Sequence, residues 1–370
     1  MTVAQENFLK KTPLYSRHQD LGAKIVNFSG WAMPVYYSGI IAEHQWTRQH
    51  CSIFDVSHLG EIRVKGSGAF LFLQKRLTND LNTLKDGRIL YNILCDEKGL
   101  AVDDILVYQA EKNNYYLIVN AASIETDYGE FLKYADPSVD IKNNSDETAC
   151  VAVQGPKAES ILEKIFGFKL KPLGYYSFKE EKFLNRSVWI SRSGYTGEDG
   201  FEIFSSNETT LSVWDKLINA GEKEYILSAG LGSRNTLRLE AGNALYGNDL
   251  DRTTTPLEAG LGWAVSFTKG DFVGRGALLA QKEKGLSRKL AGFKMLDRSI
   301  AREHYPIFKD GRQIGIVTSG SFAPSVNANI GLGYVEAGLE KPGTEIEIEI
   351  HGRLEKAEIV KRPFVTLKHK

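Results

Sequence analysis

Residues 345–361 read EIEIEIHGRLEKAEIVK. Over 345–350 glutamate and isoleucine alternate without a break. A period of two sets the isoleucines on one face of an extended strand and the glutamates on the other. Upstream, GRQIGIVTSG (311–320) and IGLGYVEAG (330–338) repeat the pattern of short apolar strands joined by glycine turns. This spacing predicts a small all-β barrel or sandwich. The charged, helix-like GALLAQKEKGLSRK (276–289) marks its start. Residues 276–370 are therefore read as a β domain and residues 1–275 as a separate body.

The body reads as α+β. GEIRVK (60–65) has a strand pattern, and Ser67 is a candidate N-cap for a helix over 69–77. Strands are expected at 105–108 and 115–119, followed by a helix burying Ile124, Tyr128, Phe131 and Leu132. In 155–166, Pro156 suits a first helical turn, and Ala158, Ile161, Leu162, Ile165 and Phe166 form one stripe. Strands at 186–192 and 201–204 precede a helix over 208–220, with Gly221 as its expected C-cap. No internal repeat is visible in the sequence.

Composition narrows the function. The 370 residues carry 46 Lys+Arg and 46 Asp+Glu, a balance that argues against a coat for nucleic acid or anionic lipid. The opening MTVAQENFLKKTPLY lacks the apolar region of a secretory signal, and no apolar run is long enough for a membrane span. Cys51, Cys95 and Cys150 lie far apart with no CxxC, so neither a disulfide framework nor a zinc site is expected. A reducing cytoplasm suits such a chain. His50 and His58 do not form HExxH, and GxGxxG, GxSxG and a Walker loop are absent.

Three segments could carry chemistry. In GLAVDDILVY (99–108), strand alternation puts Asp104 on one face with Leu106 and Tyr108, and Asp103 on the other with Ile105 and Val107. A carboxylate beside an aromatic ring could hold a flat, proton-bearing ligand; the plainer reading is a solvated pair of acids at the strand's start. In RSGYTGEDGFEIF (192–204), Glu202 lies opposite Phe201 and Ile203, unless it is simply the solvated acid of a hairpin. In GLGSRNTLRLEAGNALYGNDLD (230–251), Arg234 and Arg238 share a helix face and could pair with carboxylates of a ligand, or sit at the surface bridged to Glu240 or Asp251.

These segments occur in one order with TPLYSRHQDLGAKIVNFSGWAMPVYY (12–37), CSIFDVSHLGEI (51–62), AVQGPKA (152–158) and TTPLEAGLGWAV (254–265). The series closely resembles the aminomethyltransferase of the glycine cleavage system, the T-protein family, over nearly the whole chain. The resemblance implies a three-lobed cloverleaf of two α+β lobes, the second roughly 55–145, and a C-terminal β barrel around a central folate hole. It implies transfer of a methylene carbon from an aminomethyl group on the lipoyl thiol of the carrier H-protein to tetrahydrofolate, with release of ammonia. Tetrahydrofolate is then a co-substrate, no metal is called for, and the partner is the lipoylated H-protein. Carried over by position, Asp104 is the catalytic acid, Glu202 the pterin-binding glutamate and Arg234 a folate-contacting arginine. Tyr91, Tyr108, Asn120 and Tyr195 fall on pocket-lining positions, with Tyr175 and Tyr176 as further lining. Removing the charge of Asp104 is expected to cost far more than removing that of Asp103. Arg302 and Lys361 are candidate contacts for an acidic carrier, or solvated surface charges.

Two features depart from the family's usual pattern. Leu59 stands where many relatives have Met, and Asn235 where many have an acid, which puts a salt bridge from position 235 in doubt. Other readings are weaker. A folate-binding relative that assists iron–sulfur assembly carries a KGCYxGQE motif, whereas this chain reads TKGDFVGRGAL (268–278) without the cysteine. The folate lobe of an amine oxidase needs a dinucleotide fingerprint, which is missing. A scaffold that only holds a carrier would not need the acidic strand with its aromatic neighbours.

Overall fold

The alternating run at the C-terminus forms the strand Glu345–Ile350, with Ile346, Ile348 and Ile350 buried. The structure, a computed structural model, describes residues 8–368. Six strands close a barrel in the order Arg288–Met295, Ala328–Glu336, Arg312–Ala323, Pro306–Lys309, Glu345–Ile350 and Arg353–Val360, the last pairing back to the first. Closure leaves no free sheet edge, which decides for a barrel over a sandwich. The isoleucine face packs inside it with Phe293, Ile307, Val317 and Ile359. The helix Arg275–Lys284 precedes the first barrel strand.

The body is built on one eleven-stranded sheet. Its order is Ile226–Ser228, Cys51–Asp55, Thr148–Gln154, Gly200–Ser206, Arg186–Arg192, Ser177–Phe183, Arg88–Cys95, Ala101–Glu111, Asn114–Val119, Gly60–Lys65 and Asp140–Asn143. Two helix-covered cores form on it. One gathers Ile161, Leu162, Ile190, Phe201, Trp214 and Leu217. The other gathers Leu73, Val107, Leu117, Phe131 and Ile141, all from within the second lobe.

Each lobe enters one of its helices through the same kind of glycine turn. Gly66 and Gly155 each adopt φ 131°. Three residues on, the fully buried Ala69 and Ala158 open the helices Ala69–Arg76 and Ala158–Phe166. A Cβ at Gly66 would fall 2.2 Å from the Ser138 carbonyl oxygen, and one at Gly155 2.4 Å from that of His50. Only glycine fits either position. Only Gly and Ala recur between the two turns, so they share no wider sequence signature.

Local expectations needed three corrections. Ser67 caps nothing: Gly68 takes the N-cap position, and no side chain bonds there. The helix expected to stop at Gly221 runs Asn207–Glu224 and ends on Tyr225 in a left-handed conformation. Tertiary packing against the neighbouring strands carries it past the glycine. In the helix Ile124–Tyr134, Leu132 faces outward and Asp127 takes the inward place between Ile124 and Phe131.

Candidate active site

The strand Ala101–Glu111 runs antiparallel between Arg88–Cys95 and Asn114–Val119. Asp103 and Asp104 lie within it, opposite Leu94 and Ile93, so the reading of a solvated pair at the strand's start fails. Alternation sends Asp104 to the cavity with Leu106, while Ile105 and Val107 on Asp103's face enter the second-lobe core. Tyr91, opposite Leu106, is the diagonal neighbour of Asp104, and its hydroxyl donates to Asp104 Oδ2 at 2.9 Å.

Asn120, just beyond the strand Asn114–Val119, joins the two acids. Its Nδ2 donates to Asp104 Oδ1 and to Asp103 Oδ1, each at 2.8 Å, and its backbone N–H donates to Asp103 Oδ2 at 3.0 Å. Burial, and then the charge of Asp103, push the Asp104 carboxyl up to about 7 against the pull of Tyr91 and Asn120.

Glu202 sits on the strand Gly200–Ser206, whose Phe201 and Ile203 fill the first-lobe core. It is buried, so it is not a solvated hairpin acid. Ser193 Oγ donates to its Oε2, and Ser193 is linked to Ser191 at 2.8 Å. Among the described residues no hydrogen bond engages Oε1. Burial raises the Glu202 carboxyl, while Ser193 and Arg234 work against the rise. Arg234 rises from the helix Leu231–Glu240, which starts at Gly230, where a Cβ would meet the Val35 backbone at 2.4 Å. Its guanidinium lies over the Tyr195 ring, 4.9 Å from the centroid. Arg234 Nη1 is buried without a partner among the described residues. Burial lowers the Arg234 pKa, and Glu202 opposes that.

Arg238 is not a surface residue bridged to Glu240 or Asp251. It is buried and donates to Asp249 Oδ2 at 2.6 Å, to Asn235 Oδ1 at 2.8 Å and to Ser319 Oγ at 2.9 Å. Asn235 therefore binds its arginine as a neutral acceptor where an acid would form an ion pair.

Tyr91, Asp104, Asn120, Tyr195, Glu202 and Arg234 all line one cavity of about 790 Å³, formed where both lobes meet the barrel. Tyr175 and Tyr176, stacked 4.5 Å apart, line it too, as does Leu59. Tyr108 does not. It is 1% exposed, packed on Phe178 and Phe204, and its hydroxyl donates to Ser191 Oγ at 3.2 Å. The face was read correctly, but the cavity ends at Leu106, and Tyr108 acts behind the wall through the serines that hold Glu202. Arg302 lies on the cavity wall, whereas Lys361 is exposed and its neighbour Arg362 lines the cavity instead.

Sequence reading missed several lining residues. Trp263, 64% exposed, stacks on Tyr91 at 5.1 Å between centroids. His58 presents a neutral ring, since burial pushes its pKa down to about 4. Both lay in segments singled out above, but one aromatic ring in an apolar run gives no hint of where it points. No group of three or more potential metal ligands occurs among the described residues. None of their helices is long and apolar enough to cross a membrane.

Comparison with known proteins matches this architecture. Residues 14–269 match the family described as GCVT N-terminal domain, and residues 288–366 the Glycine cleavage T-protein C-terminal barrel domain. An aminomethyltransferase of Halothermothrix orenii is 47% identical, covering 96% of this chain and 100% of the relative. One from Caldanaerobacter subterraneus subsp. tengcongensis is 48% identical, covering 98% and 97%. The crystal structure of the glycine cleavage system aminomethyltransferase T from Bartonella henselae superposes with a TM-score of 0.92 at 35% identity, covering 98% of this chain and 99% of that one.

Proposed function

We propose a course of reaction for this chain, which belongs to the glycine cleavage T-protein family and is an aminomethyltransferase. The methylene carbon arrives as an aminomethyl group on the dihydrolipoyl sulfur of the carrier H-protein. It leaves bonded to two nitrogens of tetrahydrofolate, as 5,10-methylenetetrahydrofolate. The carbon–sulfur and carbon–nitrogen bonds of the aminomethyl group break, and the two folate N–H protons depart with the sulfur and the ammonia.

One observation carries this reading: Asp104 shares a cavity with the buried Glu202 and the half-buried Arg234, whose Oε1 and Nη1 are unengaged by the described residues. Glu202 Oε1 and Arg234 Nη1 suit a pterin, whose amino and ring N–H groups donate and whose carbonyl accepts. Tyr195 and the Tyr175–Tyr176 pair supply flat apolar faces for the ring system. A carboxyl near neutrality, such as Asp104, can take a proton from the attacking folate nitrogen. It can equally stabilise the positive charge that passes through the methylene carbon. Arg302, exposed on the cavity wall, suits contact with an acidic carrier. Three buried free thiols favour a reducing, cytoplasmic setting.

The direct test is ammonia release from aminomethylated H-protein. Tetrahydrofolate should accelerate it and end as the methylene derivative. Release at the same rate without folate would overturn the reading.

A further inference from the structure

The helix Ile124–Tyr134 turns Ile124, Asp127 and Phe131 into the second lobe. The acid between two apolar residues is fully buried, and neither of its oxygens meets a donor among the described residues. It lies within hydrogen-bonding reach of Asp103, whose two oxygens already accept from Asn120. Two buried carboxyl groups in contact do not both ionise. Asp103 is the one served by donors, so its negative charge is the better solvated and the proton belongs on Asp127.

The other charged and titratable groups acting on Asp127 are Asp104, on the same strand as Asp103, and Arg252 and Tyr246, from the segment after the helix Leu231–Glu240. Asp104 disfavours a second negative charge. Arg252 favours one, but it is exposed and screened by solvent.

We propose that Asp127 is a positioning residue: it stays protonated and donates to Asp103, so that Asp103 remains ionised, holds Asn120 and through Asn120 orients Asp104. Burial, and then the charge of Asp103, push the Asp127 carboxyl up to about 11, in accord with this arrangement. The arrangement explains why a helix otherwise apolar on its inner face spends an inward position on an acid. An apolar residue there would leave one side of Asp103 without a donor, so Asp103, less well solvated as an anion, would take up a proton from solvent and loosen its hold on Asn120. The inference rests on the proposed role of Asp104.

Two measurements on the full chain test it. Infrared difference spectra of wild type minus Asp127→Asn at neutral pH should contain the C=O stretch of a protonated carboxylic acid, shifted in D2O. Asn keeps a neutral N–H donor, so Asp127→Asn should retain kcat within about threefold. Asp127→Leu keeps the bulk without the donor and should lower kcat about 10²-fold, with KM for tetrahydrofolate nearly unchanged. Absence of the carboxylic-acid band overturns the proposal. So does a wild-type kcat in an Asp127→Leu protein with native circular dichroism. If Asp127→Leu fails to fold, the infrared comparison still decides, since it needs neither substrate nor turnover. It also separates failure of this inference from failure of the proposed reaction.

Discussion

At Asp104, burial and the charge of Asp103 raise the carboxyl to about 7, while Tyr91 and Asn120 pull it back. If the ionised form acts, kcat should fall as pH drops through about 7, and Asp104→Asn should abolish that limb. The same substitution keeps the shape and removes the charge. It should cost about 10²–10⁴-fold in kcat with folate affinity largely kept, as single-turnover and binding assays would register. The expectation that Asp103 would matter far less changes with Asn120, which bonds both carboxylates through one amide nitrogen. Asp103→Asn should lower kcat as well, by less than Asp104→Asn. Glu202→Ala removes a charged acceptor and should weaken tetrahydrofolate binding by about 1.5–3 kcal/mol, roughly tenfold or more, by titration calorimetry. Arg234→Lys should weaken it too, because the planar fork is lost.

Among the elements, the two similar glycine turns set where the helices Ala69–Arg76 and Ala158–Phe166 start. Gly155→Ala would press a Cβ toward the His50 carbonyl oxygen in a strained conformation, and should cost about 1–3 kcal/mol in urea unfolding. Gly129 offers the contrast. It is exposed in the middle of the helix Ile124–Tyr134, with nothing within 4 Å of an added Cβ. Gly129→Ala should stabilise the protein by up to about 1 kcal/mol in the same measurement. The elements also mark the reach of periodicity. Strict alternation fixed the strand Glu345–Ile350 and the faces of Asp104 and Glu202. Periodicity put Leu132 inside because a leucine at i+8 fits an apolar stripe. It could not foresee that Asp127 would be turned inward by a partner on another strand.

For the whole molecule, Glu240 ties the body to the barrel. It accepts from Arg48 Nη2 at 3.0 Å and from the Ser325 backbone N–H at 2.8 Å, and it lies 3.1 Å from His44 Nε2. Removing a buried charge leaves its partners uncompensated, so Glu240→Ala should destabilise the chain by about 3–5 kcal/mol in urea unfolding. Burial works to raise the Glu240 carboxyl, but His44 and Ser325 outweigh it and the net shift is downward. Its contribution is thus fully present above the ordinary carboxylate range and lost as pH falls through the lowered value. At Arg302, exposed on the cavity wall, the proposed charge steering of an acidic carrier should make kcat/KM for that carrier fall with rising salt. A salt-independent rate would remove Arg302 from the docking surface.

The sequence by itself determined what depends on neighbours along the chain. Alternation set the β character of the C-terminal domain and the cavity-facing side of Asp104 and Glu202. The ordered motifs pointed to the family and to its folate pocket. Tertiary structure decided what depends on distance through space. Tyr108 was withdrawn behind the wall because the cavity stops one pair of strand residues earlier. Ser193, 85 residues from its partner Tyr108 on the strand Ala101–Glu111 and across a turn from Glu202, became the donor that holds the glutamate. Asn120 and Asp127 joined the acidic strand because a strand and a helix far from it in local pattern pack against it. Periodicity reports which face a side chain takes, whereas the donor it meets and the proton it keeps are set by whatever the fold brings to that face.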